Sequence, residues 1–377
     1  AMARASDAPF KLFTASFPGS PLDESAAAKA VADHLGREHL VLPIEPKTAA
    51  EVLPAVQRSF DEPSAANSAI PLWYLSGAAA EHVKVVLCGE GGDELFMGYK
   101  RQRWASLMDR CAPIIRAMSG LRLLDRLPTS RSRQWNYFLP NARRFRDSAM
   151  LGNGYERFFA SVAIASPAVR ARIFDRGFLL RQDSHSSLSS LADEYFPEES
   201  RPPLSSLEEF VLGDLTVHMP ASLLQRLDRS SMAHSLEARV PFLSHSFVDW
   251  ALTIPPDLKL KGSVGKYVVR KAAEPWLPQG SLKGPKLGFK MPLSDWFLGG
   301  FSDFARDSWR SSGMASSGFF DPAGVESLFD EHRRGESNHG RILYAIAMFS
   351  CWWSDNAAPI TRTAGLGLRA PRRPRSS

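Results

Sequence analysis

Short β-like runs alternate with helical runs over residues 10–99, and this alternation sets the fold class. The β-like runs cover residues 10–17, 39–44 and 83–88, and the helical runs cover residues 23–35, 49–60 and 70–81. Strands separated by helices form βαβ units, in which the strands lie parallel. The pattern therefore predicts an α/β fold, with a parallel sheet flanked by helices in residues 1–100.

Helical patterns dominate the rest of the chain. Residues 101–210 predict a large helical insertion, and residues 211–355 predict helices mixed with loops rich in Gly, Pro and charge. The apolar run 342–353 is too short to span a bilayer core of about 30 Å, so it predicts a buried helix and no membrane span. Residues 356–377 predict a disordered basic tail.

Charge and cysteine content exclude several classes of protein. The 377 residues carry a net charge of +6, and five arginines lie in the acid-free tail: Arg362, Arg369, Arg372, Arg373 and Arg375. The body is therefore near neutral, which gives no support for a nucleic-acid groove. Three cysteines without CxxC spacing fit a reducing cytoplasm better than a disulfide framework or a zinc site.

The most informative segment is residues 84–99, in which a short apolar strand, predicted to be buried, runs directly into a turn with three glycines and three carboxylates. The turn residues are Gly89, Glu90, Gly91, Gly92, Asp93 and Glu94. Glycines at a strand end allow close backbone approach to a ligand, and their amides can line an anion nest. Carboxylates beside such a nest predict Mg²⁺ with a polyphosphate, because Mg²⁺ prefers one or two carboxylates plus phosphate oxygens.

Two other interpretations of this segment remain open. A tight turn in which Asp93 or Glu94 caps the next helix would need the same residues. GGDE also opens the signature of diguanylate cyclases, which place it on a β-hairpin, but no second alternating strand follows here.

Two further clusters are weaker signals. Asp228, Arg229, Glu237 and Arg239 are close in sequence, and on spacing alone they favour a solvated helix face. Lys266 and Arg270 are four residues apart, which predicts two cations on one helical face, as in a phosphate clamp or on an ordinary surface helix.

In their order along the chain, these segments resemble the synthetase domain of glutamine-dependent asparagine synthetases, of the ATP pyrophosphatase superfamily. The matching stretches are residues 13–39, 61–76, 85–99, 232–243, 265–272 and 286–297. The resemblance covers most of residues 1–355. Cys88 stands where the family usually has Ser, Ala66 where Asp is common, and Ser244 where Asp is usual.

The resemblance implies a ligase that converts aspartate, ATP and ammonia to asparagine, AMP and pyrophosphate through β-aspartyl-AMP. It implies that Glu90 and Lys266 are catalytic and that Asp93 holds Mg²⁺. The implied ATP-binding residues are Ala15, Cys88, Gly89, Gly91, Gly92 and Arg270, and the implied supporting residues are Asp228, Glu237 and Arg239.

The resemblance also sets expectations about the rest of the protein. The SGGxDS pyrophosphate loop and the upstream glutaminase domain are expected before residue 1 and are absent from this sequence. We therefore expect an N-terminally truncated, incomplete enzyme. We also expect the protein to be cytoplasmic and able to form a homodimer. The alternatives are another amide-forming enzyme of this scaffold, such as a β-lactam synthetase or peptide cyclase, and a catalytically inactive interaction module.

Overall fold

The computed structural model describes residues 10–118, 145–181, 188–282 and 288–363, and its fold is mostly helical. The strands are β1 (Lys11–Ser16), β2 (Glu38–Pro43), β3 (Val85–Leu87), β4 (Glu237–Arg239), β5 (Leu260–Lys261) and β6 (Val264–Gly265). The first helices are α1 (Ser25–Leu35), α2 (Pro46–Arg58), α3 (Ala69–Ala80), α4 (Gly92–Leu95), α5 (Lys100–Met118), α6 (Gly154–Val162), α7 (Pro167–Ile173), α8 (Arg176–Arg181) and α9 (Leu188–Tyr195). The later helices are α10 (Ser206–Gly213), α11 (Gln225–Met232), α12 (His245–Thr253), α13 (Pro256–Lys259), α14 (Tyr267–Ala273), α15 (Leu293–Trp296), α16 (Gly300–Ser311), α17 (Pro322–Arg333) and α18 (Gly340–Thr363).

The first βαβ unit confirms the predicted alternation. β1 and β2 pair in parallel from Lys11 opposite Glu38 to Ser16 opposite Pro43. Asp23 joins the end of β1 to the start of α1, because its carboxylate accepts from the Ser16 hydroxyl and from the Ser25 amide, at 3.0 and 2.8 Å. Local hydrogen bonds therefore fix the connection between β1 and α1.

β3 and β4 form a second parallel pair, with Val85 opposite Glu237 and Leu87 opposite Arg239. Within the described ranges this pair is not hydrogen-bonded to the first, so the expected single sheet is seen as two parallel pairs. The prediction that the strand at residues 83–88 is buried is wrong. Val85 and Leu87 are 40% and 52% exposed, and alternate residues share one face of a strand, so that face of β3 is open to solvent.

The main hydrophobic core lies between the first βαβ unit and the C-terminal helices. Leu53 on α2, Trp309 on α16 and Tyr344 on α18 are among its fully buried side chains. The predicted buried helix at residues 342–353 is confirmed within α18. This helix continues to Thr363, so the predicted start of the tail at residue 356 is wrong, while residues 364–377 lie outside the described residues.

A separate aromatic core packs together helices in the described part of residues 101–210, here called the helical subdomain, and the bounds of this insertion stay a prediction. It contains Tyr155 and Phe158 on α6, Phe196 after α9 and Phe210 on α10, and Tyr155 stacks on Phe196 at 4.3 Å. Because this core shares no residue with the main one, the subdomain is held by its own packing.

One continuous helical path leads from this subdomain to the site. It passes through α10, a π-helix at Asp214–Leu224, and α11. Pro220 lies in the π-helix, where its missing N–H cannot complete an α-helical ladder. The path carries Asp214, His218 and Arg226 toward the glycine-rich turn.

We predict that Gly324→Ala destabilises the protein by about 3 kcal/mol, whereas Gly300→Ala changes stability by less than about 0.5 kcal/mol. A Cβ at Gly324 in α17 would lie 1.9 Å from the backbone oxygen of Arg172, whereas one at Gly300 in α16 would meet nothing within 4 Å. Urea unfolding followed by circular dichroism measures both values. Equal stability of the two variants would contradict this packing.

Candidate active site

The turn after β3 is shaped by glycine and backed by a small apolar cluster. The Cys88 amide donates to the Arg239 oxygen at 2.8 Å, which extends the β3–β4 pairing to the edge of the turn. Gly91 has φ +91°, and a Cβ there would lie 2.3 Å from Leu243. The turn is thus pressed against apolar side chains, and α4 begins immediately after it with Asp93 in its first turn.

The hairpin β5–β6 brings a lysine to this turn. A Cβ at Gly265 would lie 2.1 Å from the Met97 oxygen, so only glycine permits this approach. Lys266 follows with φ +56°, and its amide donates to the Phe96 oxygen at 2.8 Å. Its Nζ lies 2.9 Å from Asp93 Oδ1, with both side chains about one quarter exposed. A cation and a carboxylate therefore meet at the surface of the turn.

Glu90 is held by a different cation. Arg226 on α11 donates from Nη2 to Glu90 Oε1 at 2.7 Å and from Nη1 to the Ser68 hydroxyl at 2.5 Å. Burial and the Glu90 charge raise the pKa of the neighbouring Cys88 to about 11, against the opposing charge of Arg226. Cys88 is therefore a neutral thiol at physiological pH.

Glu94 points into the protein, where it is 1% exposed and accepts a hydrogen bond from the Tyr99 hydroxyl. Burial raises the pKa of Glu94, the Tyr99 hydrogen bond opposes this, and the charges of Asp93 and Glu90 add to it. Burial and the Glu94 charge raise the pKa of Tyr99 as well. Glu94 thus belongs to the support of the turn, and Glu90 and Asp93 face the site.

A second buried carboxylate joins the turn to the π-helix. Asp214 accepts from Arg101 Nε at 3.1 Å and from Gln102 Nε2 at 2.9 Å. Gln102 in turn accepts from the Tyr99 amide at 3.0 Å. Burial raises the pKa of Asp214 to about 6, although the Arg101 charge lowers it. This network fixes residues 99–102 against the helical path.

His218 on the π-helix lies beside Tyr99, with ring centroids 6.4 Å apart. Burial lowers its pKa to about 4, and the charges of Arg101, Arg226 and Arg341 lower it further. Its imidazole is therefore neutral at physiological pH.

The structure brings together seven of the predicted site residues: Cys88, Gly89, Glu90, Gly91, Gly92, Asp93 and Lys266. The prediction that Lys266 and Arg270 share a helical face is wrong, because Lys266 precedes α14 in a left-handed conformation. Arg270 donates to the backbone oxygens of Gly265 and Leu282, at 3.1 and 2.7 Å, so it stabilises the loops around the lysine.

The other predicted residues lie outside this group. Ala15 is buried in β1, on the other strand pair. Asp228 is exposed on α11, and Glu237 and Arg239 pair with each other at the surface at 2.7 Å. The contact of Arg239 with the turn is made by its backbone oxygen.

The donor set at the turn fits Mg²⁺ only in part. In the ranges that the structure describes, no three His, Cys, Asp or Glu side chains are grouped to hold a metal. Mg²⁺ bound to a polyphosphate needs only one or two carboxylates, and Asp93 is partly exposed at the turn. Asp93 therefore fits such an ion together with a phosphate ligand.

No described helix is long and apolar enough to cross a membrane.

Sequence reasoning missed Arg226, Ser68, Tyr99 and His218. A signal for Arg226 was present, because Leu223, Arg226, Leu227 and Ser230 recur at helical spacing and all four are buried. The interior face of α11 therefore includes an arginine, while Asp228 faces solvent.

Comparison with known proteins identifies the family. The family described as Asparagine synthase matches residues 1–354. Asparagine synthetase [glutamine-hydrolyzing] 1 of Bacillus subtilis is 29% identical over 92% of this chain and 52% of its own length. A putative asparagine synthetase [glutamine-hydrolyzing] of Mycobacterium bovis is 30% identical over 90% of this chain and 50% of its own length.

A more distant relative is Amidase chry2 of Gibberella zeae, which is 25% identical over 90% of this chain and 52% of its own length. The chain belongs to the asparagine synthase family. It spans about half the length of these curated relatives.

For the Mg·ATP binding that the family resemblance implies, we predict that Gly265→Ala weakens the affinity by at least about tenfold, because the Cβ would push the hairpin and Lys266 away from Asp93. Gly262→Ala is the matched control, since a Cβ at this residue of the same hairpin would meet nothing within 4 Å. Gly262 has φ +60°, so some loss of stability is expected there. Calorimetric titration measures binding, and equal affinities of the two variants would refute the prediction.

We predict that His218→Phe reduces the loss of unfolding free energy that the protein shows as the pH falls below 6.5. Between pH 6.5 and 4 the unfolded chain binds a proton at His218 and the native chain does not, so this residue costs stability as pH falls. Asp214 has the opposite effect. Between pH 3.8 and about 6 the native chain holds a proton at Asp214 that the unfolded chain has lost, so this residue lowers stability as the pH rises.

The difference between variant and wild type isolates the histidine. The unfolding free energy of His218→Phe minus that of wild type should rise by about 2 kcal/mol from pH 7 to pH 4.5. Urea unfolding at several pH values measures this difference. A difference that does not vary with pH would show that His218 titrates alike in both states.

Proposed function

We propose that this chain contains the synthetase site of its family, at which ATP activates the side-chain carboxylate of aspartate and ammonia displaces AMP. The products are asparagine, AMP and pyrophosphate. The observation that carries the proposal is the separation of charges at the turn. Asp93 is paired with Lys266, whereas Glu90, three residues earlier, is paired with Arg226. This separation supports the assignment of Asp93 to the phosphate chemistry and of Glu90 to the acyl chemistry.

The phosphate side consists of the glycine turn and Lys266. The Lys266 ammonium has three N–H donors, of which one is directed to Asp93 Oδ1, and its Nζ would lie 3.8 Å from a Cβ at Gly92. Phosphate oxygens on the turn would therefore be within reach of the ammonium. Adenylation spreads negative charge over the α-phosphate and the leaving pyrophosphate, and a fixed cation stabilises that charge. Mg²⁺, held at Asp93 together with ATP, would supply further charge neutralisation.

The acyl side consists of Glu90. Ammonia attack on the acyl-adenylate produces a cationic nitrogen that must lose a proton before or as AMP leaves. A carboxylate next to the acyl carbon can accept that proton, and Glu90 is ordered by Arg226 at the edge of the turn. We assign this proton transfer to Glu90.

The remaining contacts to ATP are proposals from the family resemblance. Ala15 and the backbone of Cys88 and Gly89 would contact the adenylate. Arg270 would act through the loops that it holds, as its donors are directed to backbone oxygens. We further propose that the nitrogen comes from glutamine through a glutaminase domain, because the Bacillus subtilis and Mycobacterium bovis relatives are named as glutamine-hydrolyzing and are about twice this length.

We predict that pyrophosphate release from Mg·ATP and ammonium depends on aspartate and falls about 100-fold in Glu90→Gln. Ammonium as nitrogen donor makes the assay independent of glutaminase activity. Glu51→Gln is the matched control, since Glu51 is exposed on α2. Coupled detection of pyrophosphate and chromatography of asparagine give the two readouts.

Other outcomes separate the alternatives. Pyrophosphate release that responds to another carboxylic acid, and not to aspartate, would assign a different amide-forming activity on the same scaffold. Absence of Mg·ATP binding in the full-length protein that contains this chain would support an inactive interaction module. Equal activity of Glu90→Gln and wild type would refute the role of Glu90.

A further inference from the structure

Arg226 is a buried cation whose contacts converge on Glu90. The residue is 8% exposed, and it lies on the inner face of α11 between α3 and the glycine turn. Its two terminal nitrogens bind different partners: the Ser68 hydroxyl and Glu90 Oε1. Ser68 is itself 2% exposed at the start of α3. The guanidinium therefore links a fixed point of the core to one oxygen of the carboxylate.

The geometry of a guanidinium makes this link directional. Its nitrogens are coplanar and at fixed angles, so an acceptor at one nitrogen defines where the other can donate. With Nη1 on Ser68, the position of Nη2 and hence of Glu90 Oε1 is set. The contact engages Oε1, which leaves Oε2 as the oxygen that can accept a proton from substrate.

This arrangement is not optimal for stability alone. Among the described residues, Arg226 Nε is buried without a hydrogen-bond partner. A buried donor without an acceptor costs free energy, and a buried ion pair contributes little net stability compared with well-packed apolar side chains. The placement of Arg226 is therefore explained better by what it does to Glu90 than by packing.

We propose that Arg226 is a positioning residue for Glu90, anchored by Ser68, and that it orients the carboxylate for proton transfer from the attacking ammonia. The inference rests on the proposed function for its chemistry, and on the described contacts for its geometry. Arg226 does not contact the nucleotide in this proposal, so its removal should impair turnover more than ATP binding.

The kinetic test uses Arg226→Met in the full-length protein that contains this chain, with Arg229→Met as matched control. Arg229 is on the same helix, and its partner Asp61 lies outside the turn. We expect aspartate- and ammonium-dependent kcat to fall about 50-fold in Arg226→Met, with KM for ATP changed less than about threefold, and Arg229→Met to stay within about twofold of wild type. Arg226→Lys should recover part of the loss, because the ammonium can reach Glu90 but cannot bridge to Ser68.

A double-mutant cycle distinguishes positioning from a general structural effect. If Arg226 acts through Glu90, then adding Arg226→Met to Glu90→Gln should lower kcat by less than about threefold more. A double variant whose loss in kcat equals the product of the two single-variant losses would overturn the proposal. A loss in Arg226→Met that appears in KM for ATP alone would overturn it as well. Should Arg226→Met fail to fold, Ser68→Ala takes its place in the cycle, with the same criteria.

A structural test is independent of activity. Crystal structures of wild type and of Arg226→Met, or of Ser68→Ala, should show the Glu90 carboxylate displaced by more than about 1 Å in the variant. An unmoved carboxylate would overturn the positioning role. If wild type releases no pyrophosphate in response to aspartate, the proposed function fails, and this crystallographic comparison alone decides whether Arg226 positions Glu90.

Discussion

The close approach of the hairpin β5–β6 to the glycine turn is the contact on which the site depends. At Gly265 the hairpin lies directly against the Met97 carbonyl, and the next residue carries the lysine. Met97, Lys266 and Gly91 all have positive φ, which is unusual for the two that are not glycine. The hydrogen bond from the Lys266 amide to the Phe96 oxygen holds this conformation, so the backbone conformation and the ion pair with Asp93 support each other.

The acidic residues of the turn have separate roles because their surroundings differ. Glu94 is enclosed and bonded to Tyr99, Asp93 meets a lysine at the surface, and Glu90 meets a buried arginine. The three carboxylates are close in sequence, yet each has its own hydrogen-bond donor. Cations compensate the charges of Asp93 and Glu90, and burial disfavours the charged form of Glu94, so mutual repulsion does not dominate the turn.

Much of this arrangement follows from sequence, and the part that does not has a physical reason. The strands, the helices and the glycine turn follow from local periodicity and turn chemistry, which act over a few residues. The ion pair of Glu90 with Arg226 joins residues 136 positions apart, so no local pattern predicts it. The spacing of Lys266 to Arg270 predicts that both lie on a helix, but the contact of Gly265 with Met97 overrides that local preference. The exposure of β3 likewise depends on which elements cover it, and an apolar run alone does not specify this.

The packing of α18 has a consequence for how the chain acquires its structure. Tyr344 on this helix donates to the Ala66 oxygen, 278 residues earlier, and Trp352 donates to the Asp61 oxygen, 291 residues earlier. The core that contains β1 and α2 is completed by α16 and α18. During synthesis, the first hundred residues therefore emerge long before the helices that bury their apolar faces. Contacts of such large sequence separation slow folding and leave apolar surface exposed in the meantime, so the nascent α/β segment needs protection from aggregation until the C-terminal helices are made.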